Sequence, residues 1–182
     1  MRKAAALLAL SLLAVCCRKK PAPPLDPADA LYQSASGDLS FEIPKDWRAL
    51  ENQGGGQRVS FFGPSSGARP YSVSIGVYFY GPGSSFASID DYARAQELSA
   101  RESTPLKAFD LKGRPAREMT VSRLTPSLHD VKPPELRVDR YVFIPAGAGF
   151  YVLDYSAPKA SENDQAPVFE RVLQSLTLRP AK

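Results

Sequence analysis

Three stretches hold residue types at spacings able to do chemistry. Asp90 and Asp91 stand side by side in residues 88–102, SIDDYARAQELSARE, as a paired acid and base would. Ser88 precedes them at capping-box spacing, and acidic residues in a first turn are favoured by the helix dipole, so the pair reads as a helix start. His129 is the only histidine, and it falls in a loop among Pro126, Pro133 and Pro134. A zinc site needs several ligands and a catalytic triad needs its histidine on a rigid element, so His129 is expected at the solvent surface. Gly54, Gly55 and Gly56 have the composition of a phosphate loop, but such a loop leads into a helix carrying Lys and Ser or Thr. Here RVSFFGP follows, which reads as a strand, and the glycines as a hairpin. No catalytic residue, cofactor or metal is expected, and the chain is not expected to be an enzyme.

Both cysteines, Cys16 and Cys17, lie in residues 4–20, AAALLALSLLAVCCRKK. A disulfide between neighbours is strained. Arg2 and Lys3 precede the apolar run of residues 4–15, giving the positive and apolar regions of a secretory signal. The run is too short to cross a bilayer, which takes about 20 apolar residues. The residues LAVCC resemble the lipobox of bacterial lipoproteins, in which a small residue precedes the cysteine that is acylated. Cys17 is the favoured site, because Cys16 supplies the small neighbour; Cys16 is the alternative, with branched Val15 before it. The resemblance implies a palmitate-type acyl anchor in the bacterial cell envelope. Arg18, in place of Asp, implies the outer membrane facing the periplasm if the host is Gram-negative. Residues 1–16 are then signal peptide and residues 17–37 a lipidated N-terminus and tether, stiffened by four prolines in PAPPLDP, residues 21–27. Residues 38–180 form one domain.

The charge balance changes once that stretch is set apart. Of 23 basic residues, Arg2, Lys3, Arg18, Lys19 and Lys20 lie there with no acidic residue, so residues 21–182 carry 18 basic against 19 acidic, net −1. A basic stripe for nucleic acid is thereby excluded. With no cysteine left, the domain must be held by its apolar core.

The elements follow from periodicity. Leu39, Phe41 and Ile43 alternate with polar residues over 38–44, a half-buried strand, and Trp47 is expected to close one end of the sheet. Residues 59–62 and 71–80 are strands, the second with Tyr78 and Tyr80 on its partly exposed face. A surface-lying helix follows over residues 88–102. Strands 106–111 and 115–124 flank the turn KGRP, in the one locally basic region, which includes Arg114, Arg117 and Arg123. Strands 137–145 and 150–156 flank a hairpin, and residues 161–178 hold an amphipathic helix with Val168, Phe169, Val172, Leu173 and Leu176 in one stripe.

The opening LSFEIPKDW, the middle helix after a long strand, the pair RYVFIP and FYVLDYSA and the closing VFERVLQSLTL are together similar to the PsbP-like family. That family includes an extrinsic photosystem II subunit, a Ran-binding factor and many bacterial lipoproteins. The resemblance covers residues 38–178 and implies an α+β fold, an antiparallel sheet flanked by helices as an α/β/α sandwich. It also implies binding of other proteins without catalysis. The chain is therefore expected to be a membrane-anchored interaction or assembly module with a protein partner, its surface including Tyr78, Tyr80, Arg114, Arg117 and Arg123. The alternative is an envelope protein that binds a small apolar or anionic ligand between sheet and helix.

Overall fold

Strand-forming residues dominate, and among the described residues they give eleven strands beside two α-helices. The computed structural model describes residues 28–54, 56–64, 73–125 and 134–179. The signal stretch, both cysteines, the proline-rich spacer and His129 lie outside them. The strands of the first half are β1 (Asp29–Gln33), β2 (Leu39–Pro44), β3 (Arg48–Gly54), β4 (Gln57–Phe62) and β5 (Ser74–Tyr80). Helix α1 (Ile89–Leu98) follows, then β6 (Glu102–Ser103), β7 (Lys107–Leu111), β8 (Arg114–Thr125), β9 (Glu135–Ala146) and β10 (Gly149–Pro158). Helix α2 (Ala166–Ser175) and β11 (Thr177–Leu178) complete the fold.

The main sheet is antiparallel, in the order β3-β4-β5-β10-β9-β8-β6, with β7 also paired to β8. Period-2 alternation gives it two buried faces. On one face Val59, Phe61, Ile75, Val77, Val142, Ile144 and Leu153 pack under the α2 stripe of Val168, Phe169, Val172 and Leu173. On the other, Tyr80, Met119, Tyr141, Phe143, Phe150 and Val152 pack under Tyr92 and Ala93 of α1. The capping-box reading holds, since the Asp91 N–H donates to Ser88 Oγ at 3.1 Å. Asp90 takes both Arg117 Nη groups at 3.0 and 2.8 Å, which ties α1 to β8. Arg140 ties α2 to the sheet: it pairs with Glu170 and with Glu118, and lies over the Phe169 ring.

The fold is richer in sheet than a sheet flanked by helices. Helix α2 shares its layer with a second sheet, β1-β2-β11, whose Leu39, Phe41, Ile43 and Leu178 complete the same core. Its outer strands come from residues expected elsewhere. Residues 29–33, expected in the tether, pair with β2 from Asp29↔Pro44 to Gln33↔Ser40, so the folded part includes Asp29 and does not start at 38. Residues 177–178, expected in the closing helix, leave it and pair with Ser40 and Leu39. Helix α1 likewise stops at Leu98, and Glu102 and Ser103 join β8. Trp47 does close one end, buried beside Gly63.

The β9–β10 hairpin contains two glycines needed for different reasons. Gly147 has φ 57°, a left-handed conformation with open space where a Cβ would be. A Cβ on Gly149 would land against the Tyr80 carbonyl and 2.9 Å from Gly81 Cα, at the end of the adjacent strand β5. Gly147→Ala should therefore cost about 1 kcal/mol through backbone strain, and Gly149→Ala about 2–3 kcal/mol through overpacking. Urea unfolding of the two variants checks the order, and a smaller loss at Gly149 would contradict it.

Asp154 on β10 accepts the Gly76 N–H at 2.7 Å. Burial, eased by that bond and reinforced by the charge of Asp139, raises its carboxyl to about 6 from 3.8. The folded chain thus holds this proton more tightly than the unfolded one, and the group's contribution to stability falls as pH rises from about 4 to 6. Asp154→Asn keeps an acceptor for Gly76 and should stabilise the fold by about 2 kcal/mol near pH 7.5, with the gain vanishing near pH 4. Denaturation at the two pH values measures this; a loss of stability at both would refute the account.

Candidate functional site

The most chemically distinctive place in the fold is one end of the sandwich, where six chain segments meet. The β1–β2 turn carries Ser34, Ser36, Gly37 and Asp38, and Gly37 adopts φ 68° to close it. The turn projects the Asp38 carboxylate toward the main sheet, where it collects four donors. Ser36 Oγ lies at 2.5 Å, Ser34 Oγ at 2.7 Å, Arg58 Nη2 at 2.9 Å and the Tyr151 hydroxyl at 3.2 Å. Burial alone would raise this carboxyl, but the Ser36 and Ser34 hydrogen bonds, the Arg58 charge and the Tyr151 hydroxyl together pull it down to about 2. Arg58 reaches it from a bulge, where the β4–β5 register slips between Gln57 and Val59. Bulges commonly re-aim a side chain in this way.

Beside this cluster lies a half-open groove of about 600 Å³. Its apolar floor is Phe79, Tyr151, Leu178 and the hairpin residues Pro145, Ala146 and Ala148. The Phe79 and Tyr151 rings lie 4.9 Å apart. Its rim carries Arg58, Arg114 and Arg179 against the single carboxylate of Asp38, so the lining is net +2. Arg114 stands at the start of β8, just after the Lys112-Gly113 turn, and donates from Nη2 to the Leu178 carbonyl at 2.8 Å. The Arg179 N–H donates to the Asp38 carbonyl at 2.8 Å, which fixes its backbone at the rim, and its side chain is exposed. A smaller hollow of about 200 Å³ adjoins the groove, sharing Arg114 and Leu178 and adding Lys112. An arrangement of this kind binds anions over an apolar surface, and it presents no acid–base pair aimed at a common point.

Of the residues singled out from sequence, Arg114 is in this groove and four are elsewhere. Tyr80 is 6 % exposed, packed by Phe86, Tyr92 and Phe150 under α1, so it is core and not the partly exposed residue expected. Tyr78 stacks on it and is half-buried; burial and the Asp154 charge, eased by a Ser60 hydrogen bond, push its hydroxyl up to about 12. Arg117 is engaged by Asp90, and Arg123 pairs with Asp139 at 2.8 Å. The groove residues missed in the sequence are Asp38, Arg58, Tyr151 and Arg179. One local signal was available: SASGD just ahead of the β2 alternation is turn chemistry. Among the described residues, no group of three or more His, Cys, Asp or Glu could hold a metal ion.

No family model and no curated protein matches the chain. Solved structures do match. The solution structure of cyanobacterial PsbP (CyanoP) from Synechocystis sp. PCC 6803 superposes with a TM-score of 0.57 at 14 % identity, covering 88 % of this chain and 98 % of that one. The Saccharomyces cerevisiae Ran-binding protein Mog1p gives 0.54 at 10 %, covering 84 % and 96 %. LpqN, involved in cell envelope biogenesis of Mycobacterium tuberculosis, gives 0.52 at 15 %, covering 84 % and 91 %. Identities this low carry the architecture alone, and what they establish is that this chain has the PsbP-like fold.

Proposed function

We propose that this chain is a cell-envelope lipoprotein, acylated at Cys17, that acts as a non-enzymatic binding module with the arginine-lined groove as its working surface. The observation that carries the reading is a net positive, apolar-floored groove on a domain whose overall charge is close to neutral. A rim of this sign steers an acidic partner toward the site. The first occupant to consider is an acidic segment of a protein partner. A fold shared with a Ran-binding protein and with a protein of cell envelope biogenesis fits such a role. A small anionic or apolar ligand is the second reading, favoured by the groove's volume and floor, which lie within the usual range for small-molecule sites.

Two measurements test this. A photo-crosslinking residue placed at Ala148, in the groove, should trap an adduct in native membranes that is lost on Arg179→Glu, while one at Lys159, at the other end of the sandwich, should not. Matching adducts from both positions would remove the groove from the account. The anchor is read separately: globomycin or Cys17→Ala should shift the chain out of the lipidated form, and a Cys17→Ala chain that stays lipidated assigns Cys16.

A further inference from the structure

We propose that the groove is a site for a small amphiphilic anion, with one carboxylate or phosphate head held between Arg114 and Arg179 and an apolar tail laid over Phe79, Tyr151 and Ala148. This rests on the groove being the working surface, and it names the occupant.

The head group follows from which cations are already answered. The charge of Arg58 is already matched by the Asp38 carboxylate, 2.9 Å from its Nη2, which also reaches Ser36 Oγ at 3.1 Å. Arg114 gives one contact to the Leu178 carbonyl, and a guanidinium has five N–H donors, so most of its fork is left over. Arg179 is exposed, and among the described residues its guanidinium has no ion-pair or hydrogen-bond partner. Arg114 bonds the carbonyl of Leu178, the residue just before Arg179, and all three line the same groove. A planar, two-oxygen anion suits two guanidinium forks.

The tail follows from the floor. Two aromatic rings, Pro145, Ala146 and Ala148 form an apolar surface that a bare inorganic anion would leave wet. An uncharged apolar molecule would leave the two arginines unanswered. The cavity of about 600 Å³ is of small-ligand size.

The test is a residue-resolved NMR titration of the full chain with decanoate, decyl phosphate, decanol and acetate, each below its aggregation limit. Decanoate or decyl phosphate should shift the amides of Phe79, Ala148 and Tyr151 saturably. The better of them should bind about tenfold more tightly than decanol, and about tenfold more weakly to Arg179→Gln. Arg179→Gln alters only an exposed side chain, so the unperturbed remainder of its spectrum reports that the fold is intact. Shortening the tail by two methylenes should weaken binding about tenfold. A preference for decanoate points to a free carboxylate, one for decyl phosphate to a lipid-type headgroup, and either supports the site. Equal binding of decanol, equal binding of acetate, or shifts confined to other residues would overturn it. If no amphiphile shifts the groove while Ala148 still crosslinks a protein, the ligand assignment falls and the groove stands. If both experiments are silent, both fall.

Discussion

The Asp38 carboxylate is the joint between the two sheets. It sits on the turn of the small sheet and is held by Arg58 of β4 and Tyr151 of β10, so one partly buried anion links one sheet to the other. A carboxylate taken out of water is tolerated only when its oxygens are answered. Here Ser34 and Ser36 supply the remaining donors from the same turn. The groove depends on this joint, since Arg58, Phe79, Arg114 and Tyr151 of its lining belong to the main sheet and Leu178, with Arg179 after it, to the small one.

A second joint links the main sheet to α2. Arg140 projects from β9 between Glu118 and Glu170 and over Phe169, and so registers α2 on the sheet. The apolar stripe of α2 packs into the same core. Lys112 adds to this joint, donating to the Gln174 carbonyl at the end of α2 at 2.6 Å. Positive charge at a helix C-terminus is favourable, and it places one more cation near the rim.

How much of this was legible follows from how local each signal is. Strands β2, β5, β8, β9 and β10 announce themselves through alternation, and α2 through its stripe, because each pattern is complete within one segment. Strands β1 and β11 were missed because neither has an alternation of its own. Leu31 of β1 is 61 % exposed, and β11 is two residues long and pairs with a strand from the opposite end of the chain. The groove was missed for the same reason: Asp38, Arg58, Arg114, Tyr151 and Arg179 are scattered singly and converge only when two sheets stack. Arg117 and Arg123 share a strand with Arg114 but turn to α1 and to Asp139, so a basic cluster in sequence became three separate tasks in space.

The direction of β1 sets how the domain bears force. Ala28 lies at the end of β1 away from the Asp38 turn, and its carbonyl accepts the Lys45 N–H. A pull on the preceding chain, opposed by a load in the groove, would run along the strand and not across it. The five residue pairs between β1 and β2 would then be sheared together and would not unzip in turn.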